Sequence, residues 1–122
     1  MSKVLIIDDD RWFADAIAKN LHQNGWQTHI SPNAAKGIGA IDDFDPDVLL
    51  LDVMLPGSSA PAILNELQSH TDLADLPIVL CTSIQSSEFD LDSLKSYGVR
   101  EALDKAHSEP DDIAKALANA ID

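Results

Sequence analysis

Five short apolar runs punctuate the chain, and the segments between them place apolar residues at helical spacing, the pattern of βα units around a parallel sheet. The first run is Val4, Leu5, Ile6 and Ile7. The second, Thr28, His29 and Ile30, is weak. The third, Val48 to Leu51, and the fourth, Ile78 to Cys81, are continuous, as expected of strands covered on both faces. The fifth, Val99 to Leu103, is interrupted by Arg100 and Glu101, which suits an edge strand.

Between the runs, Ala14, Ile17, Ala18 and Leu21 form one helical stripe that stops before Gly25, and Asp10 stands where its N-cap belongs. Near the C-terminus, Ile113, Ala114, Leu117, Ala118 and Ile121 form another. Ser108 and Asp111 resemble its capping box, with Pro110 in the first turn. Ser59 and Pro61 announce a helix packing Ile63, Leu64 and Leu67, and Leu91, Leu94 and Lys95 belong to one closed near Gly98. The helix around Ala34 to Ile41 contains Gly37 and Gly39 and is expected to be the least stable.

Polar residues gather where the runs end. The first run is followed by Asp8, Asp9 and Asp10, the third by Asp52, the fourth by Thr82 and Ser83, and the fifth by Asp104 and Lys105. Ligands of open parallel sheets bind outside the carboxyl ends of the strands, at the point where the strand order reverses. With right-handed crossovers and the common order 2-1-3-4-5, the first and third strands are neighbours and these groups converge on one crevice. Carboxylates so close stay ionised only beside a cation. Oxygen ligands alone suit Mg²⁺ better than Zn²⁺, which favours His or Cys. In such a pocket a carboxylate can attack phosphorus, Lys105 can neutralise the phosphoryl oxygens, and the Thr82 hydroxyl can donate to one of them. His22, His29, His70 and His107 lack ligand spacing and fit surface or helix-end roles. Trp12, just beyond the acids, is expected to pack partly on the surface.

Composition narrows the function classes. The chain has 122 residues, near the commonest size of one domain, is 45% hydrophobic and shows no linker, repeat or low-complexity tract. A net charge of −13 repels nucleic acid and anionic membrane. The one cysteine, Cys81, sits in an apolar run and reads as a buried thiol. No stretch approaches the roughly 18 apolar residues of a membrane span. With no leader before the first run, the chain reads as cytoplasmic, either stand-alone or a piece of a longer protein.

The motifs IIDDD at 6–10, LLLDVMLPG at 49–57, LPIVLCTS at 76–83 and LDKA at 103–106 together resemble the receiver domain of bacterial two-component response regulators. The resemblance covers essentially all of the chain as a single receiver domain, residues 1–122. It implies a flavodoxin-like, doubly wound five-stranded parallel sheet in the order 2-1-3-4-5 with five helices; that order is the family's and does not come from the spacing. It further implies a phosphorylation switch rather than an enzyme, with Asp52 as phosphoacceptor, Asp9 a direct Mg²⁺ ligand, Asp8 a ligand through water and Met54 a ligand through its carbonyl. Thr82 and Lys105 would sense the phosphoryl group. The implied partners are a histidine kinase or histidine phosphotransfer protein upstream and an output protein or domain downstream, with the chain itself a monomer or weak dimer.

Two positions depart from the family. Ala102 stands where Tyr or Phe is usual in the fifth strand, so the signal is expected to run through the loop from Ser83 to Glu88 and the helix after it. Ala106 replaces a proline that is often cis; for alanine the cis bond costs roughly 3 kcal/mol, so the loop holding Lys105 is expected to differ. These departures suggest the alternative of a degenerate receiver that serves as a constitutive protein-interaction module. A flavodoxin-like enzyme is disfavoured because no Gly-rich phosphate loop follows the first run, where three acids would repel a nucleotide phosphate.

Overall fold

A computed structural model describes residues 2–52, 64–66, 76–82 and 98–121, except for the side chains of Ala34 and Thr82. Strands β1 (Lys3–Ile7), β2 (Gln27–Ser31), β3 (Val48–Leu51), β4 (Ile78–Thr82) and β5 (Val99–Asp104) form one parallel sheet in the order β2-β1-β3-β4-β5. Helices α1 (Arg11–Gln23), α2 (Ala34–Phe44) and α3 (Pro110–Ile121) pack on its faces, and residues 64–66 are also helical. The other segments predicted to be helical, the rest of the one after Ser59 and the one around Leu91 to Lys95, lie outside the described residues. No helix among the described residues is long and apolar enough to cross a membrane.

The central strands β1 and β3 carry apolar side chains at every position because both faces are covered. Alternate residues serve opposite cores. Leu5, Ile7, Leu49 and Leu51 join Ile41 of α2 and Leu64 on one face. Val4, Ile6, Val48 and Leu50 join α1 and α3 on the other, with Val79 and Cys81. Each fully buried Leu or Ile contributes on the order of 1.5–3 kcal/mol, so this layering dominates the stability.

Strand β5 adds a bulge that resets its faces. Ile78 pairs with Val99 but Val79 pairs with Glu101, leaving Arg100 unopposed. One extra residue inverts the in–out pattern of everything after it. Val99 therefore joins the α2-side core while Leu103 packs against the α1/α3 side. Arg100 and Glu101, which interrupt the apolar run, mark the bulge of an edge strand.

Helix α1 follows its stripe, burying Ala14, Ile17, Ala18 and Leu21. The Asp10 carboxylate accepts from the Phe13 N–H at 3.1 Å, so Asp10 is the cap. At the other end Gly25, at φ +87°, donates to the His22 carbonyl and Trp26 to the Leu21 carbonyl, a Schellman closure that needs the left-handed residue. Trp12 differs from expectation: it is 91% exposed, because the second position of the helix points away from the sheet once Ala14 and Ile17 face it.

Helix α3 begins one residue later than its Ser108–Asp111 pair suggested. The Glu109 carbonyl accepts from the Ile113 N–H, and the Glu109 N–H donates to the Asp112 carboxylate at 2.9 Å. Of the predicted stripe, Ile113 and Leu117 are buried and Ala114 is half-buried, but Ala116 and Ala120 complete the buried face while Ala118 and Ile121 are exposed. Alanines at 114, 116, 118 and 120 make two faces equally apolar in sequence; packing against α1 and the sheet selects one of them. In α2, Gly37 is a close approach: a Cβ there would overlap Ile7 Cδ1 and stand 2.6 Å from Ile7 Cγ1, whereas Gly39 faces open space.

Candidate functional site

The register of the central strands builds the site. Ile7 pairs with Leu51, so Asp8 and Asp52 follow side by side, and the Asp52 N–H donates to the Ile7 carbonyl at 3.0 Å. On the other side the Asp8 N–H donates to the Ser31 carbonyl of β2 at 3.1 Å. Both carboxylates are buried while Asp9 is exposed. Ligand oxygens of Asp8, Asp9 and Asp52 lie within 4.8 Å of one another.

Lys105, in the turn after β5, supplies the opposing charge. Its Nζ is 2.8 Å from Asp8 Oδ2 and 3.4 Å from Asp52 Oδ2, with only 15% of its side chain exposed. Asp8 Oδ1 also accepts from the Asp10 N–H at 2.8 Å. Burial pushes the Asp8 carboxyl above its ordinary value; the Lys105 and Asp10 hydrogen bonds offset this only in part, and the Asp52 charge adds to it. For Lys105 burial acts to lower the value, but the hydrogen bond and charge of Asp8, joined by Asp52, outweigh it and the ammonium is held above its ordinary range. Buried Cys81 is pushed up to about 12, mainly by desolvation, so the thiol stays protonated.

Of the residues expected at the site, Asp8, Asp9, Asp52 and Lys105 are brought together. Thr82 ends β4 paired with Asp104, its side chain lying outside what is described, and Met54 and the 83–88 loop also lie outside the described residues. The histidines that are described stand elsewhere: His22 bonds Thr28, the His29 ring lies tilted against that of Phe44 at 5.6 Å, and His107 bonds Asp104. His70 lies outside the described residues. Two contributors were not legible in sequence. Phe13 places its ring 4.5 Å below the Lys105 ammonium. Asp104 folds the turn behind Lys105, accepting from the Ala106 N–H at 2.9 Å and from His107, so an Asx turn holds the loop where the family usually has proline. Those hydrogen bonds, with His107 first, draw the Asp104 carboxyl below its ordinary value. No cis peptide bond occurs among the described residues.

Fold and pocket define a class: a doubly wound α/β domain whose topological switch point carries a cluster of acids and one lysine. Residues 4–118 match the response regulator receiver domain, and the chain belongs to that family. Among solved structures it is similar to the BeF3-activated N-terminal receiver domain of Klebsiella pneumoniae RstA, at 26% identity and a TM-score of 0.84, over 98% of each chain. It is also similar to the receiver domain of the Francisella response regulator 1452, at 25% identity and a TM-score of 0.84, over 99% of this chain and 97% of that one. The Vibrio cholerae chemotaxis protein CheY4, 21% identical over 98% of each chain with a TM-score of 0.87, shares the fold. The chain is thus a receiver domain of two-component signalling with an acidic pocket of Asp8, Asp9 and Asp52. Receiver domains are signalling switches that work with histidine kinases and output domains, and they typically bind Mg²⁺ in such a pocket.

Proposed function

We propose that this domain is a phosphorylation switch in which Asp52 accepts a phosphoryl group from the phosphohistidine of a kinase or phosphotransfer protein in the cytoplasm. The observation that carries this reading is the pairing of two buried carboxylates at the ends of adjacent central strands with one lysine that reaches both. A hard divalent ion fits the donor set: three carboxylates with oxygens in reach of one another, two of them desolvated, and no nitrogen or sulfur ligand beside them among the described residues. Asp8, Asp9, Asp52 and, by family similarity, the Met54 carbonyl would hold Mg²⁺. When bound it supplies the positive charge that lets a phosphate dianion approach an acidic pocket.

The residues of the chain do the rest. An Asp52 carboxylate oxygen attacks phosphorus as the bond from phosphorus to the donor imidazole nitrogen breaks, and the imidazole leaves with that electron pair. Lys105, already held at Asp52, stands where it can neutralise the transferred oxygens, and by family similarity the Thr82 hydroxyl would complete the set. The product is an acyl phosphate whose new charge alters the pocket surface presented to an output protein or domain. Incubation with a small phosphodonor and Mg²⁺ should add one phosphoryl mass to the wild type and none to Asp52→Asn, which keeps the shape but lacks the nucleophile. Equal yields in the two would assign the acceptor elsewhere. Amide shifts at Asp8 to Asp10 should follow added Mg²⁺ and weaken in Asp9→Ala.

A further inference from the structure

Lys105 has a third partner. Its Nζ lies 4.5 Å from the centroid of the Phe13 ring, while it is bonded to Asp8 and near Asp52. Phe13 is itself linked to Asp8 through Asp10. Its N–H donates to the Asp10 carboxylate, the Asp10 N–H donates to Asp8 Oδ1, and Asp8 Oδ2 accepts from Lys105. Asp8, Asp10, Phe13 and Lys105 therefore form a closed ring of contacts around one ammonium. The ring face is fixed as well, because half-buried Phe13 packs against the α1/α3-side core.

From this juxtaposition we infer that Phe13 is a positioning residue for Lys105, holding the ammonium in the pocket through its aromatic face. The inference rests on the phosphoryl-transfer reading for its consequence, though not for the contact. Lys105 has two kinds of tether. The carboxylates hold it by charge, and any cation that enters among Asp8, Asp9 and Asp52 competes for those oxygens. The aromatic face attracts the ammonium through its quadrupole and makes no bond to a metal, so it persists when the carboxylates are otherwise engaged. The backbone offers little substitute. Ala106 and His107 beyond Lys105 are exposed, and Asp104 bonds the Ala106 N–H and the His107 ring rather than the Lys105 side chain.

The test compares Phe13→Leu, which keeps apolar bulk, with Phe13→Trp, which keeps and strengthens the aromatic face. In wild type the ring should shift the Lys105 Cε and Hε resonances away from those of a solvated lysine. That displacement should vanish in Phe13→Leu and survive in Phe13→Trp, with Mg²⁺ absent or present. With a small phosphodonor and Mg²⁺, acyl phosphate formation should slow about 3- to 10-fold in Phe13→Leu and recover in Phe13→Trp, as expected for loss and return of one cation–π contact. Unchanged Lys105 resonances in Phe13→Leu would overturn the inference, as would equal rate losses in both variants, which mark Phe13 as packing only. If the wild type takes up no phosphoryl group, the proposed function fails, and the lysine resonances still decide the contact.

Discussion

Replacing Lys105 by Met tests the electrostatics of the pocket most directly, because the unbranched stem is kept and only the charge is lost. In the wild type the ammonium sits 2.8 Å from a carboxylate that is 4% exposed and 3.4 Å from one that is 5% exposed. Removing one partner of a fully buried pair costs about 3–5 kcal/mol, since it strands the other charge in a poor solvent. Here exposed Asp9 opens one side of the pocket to water, so about 2–3 kcal/mol is expected near neutral pH, equivalent to roughly 1 M in urea midpoint for a domain of this size. The pH dependence has a definite sign. Asp8 titrates above its ordinary 3.8 when folded, so the native state binds the extra proton between that value and its own pKa, and stability falls as pH rises through the interval. Without Lys105 the Asp8 carboxyl loses its largest stabilising partner and the interval widens upward. The raised pKa of Lys105 contributes stability at all pH values below its ordinary 10.5, lost only as pH rises through the folded value. The gap between variant and wild type should therefore be full near neutrality and close as Asp8 becomes protonated in acid. Urea unfolding across that range measures it. Equal midpoints at neutral pH, or a gap that does not narrow on acidification, would refute this account of the pocket. Added Mg²⁺ should stabilise the variant more than the wild type, since the ion replaces the missing charge.

Three other outcomes follow from the packing. Gly37→Ala should destabilise by about 1–3 kcal/mol despite the better helix propensity of alanine, because Ile7 is fully buried and cannot give way; thermal or urea unfolding checks it. Gly39→Ala, in open space on the same helix, should stabilise by about 0.5–1 kcal/mol by the same measurement. Cys81, 1% exposed and with its pKa near about 12, should resist a thiol reagent at neutral pH in native protein and react at once in denaturant.

The chain alone determined its strands and the acids that end them. A strand buried on both faces must be apolar throughout, so the first polar residues after Ile7 and Leu51 mark the edge of the core, and in a doubly wound sheet that edge is where ligands bind. The Asp10 cap and the α1 stripe were legible for the same reason, being local chemistry with one periodic solution. What depends on the approach of distant segments was not. Alternating alanines left two apolar faces on α3, and only the surface of α1 and the sheet chose between them. Gly37 read as a weakness in its helix until Ile7 lay against it. Arg100 and Glu101 read as interruptions, but Arg100 is the unopposed residue that turns Leu103 to the α1/α3 face just ahead of Lys105. Phe13 carries no polar atom to announce a role; its contact with an ammonium 92 positions away exists only because β1 and β5 end on the same edge of one parallel sheet, where the Lys105 side chain reaches the ring. Burial and capping are properties of a segment and its solvent, whereas register, face and cation–π geometry belong to pairs of segments and are set when they meet.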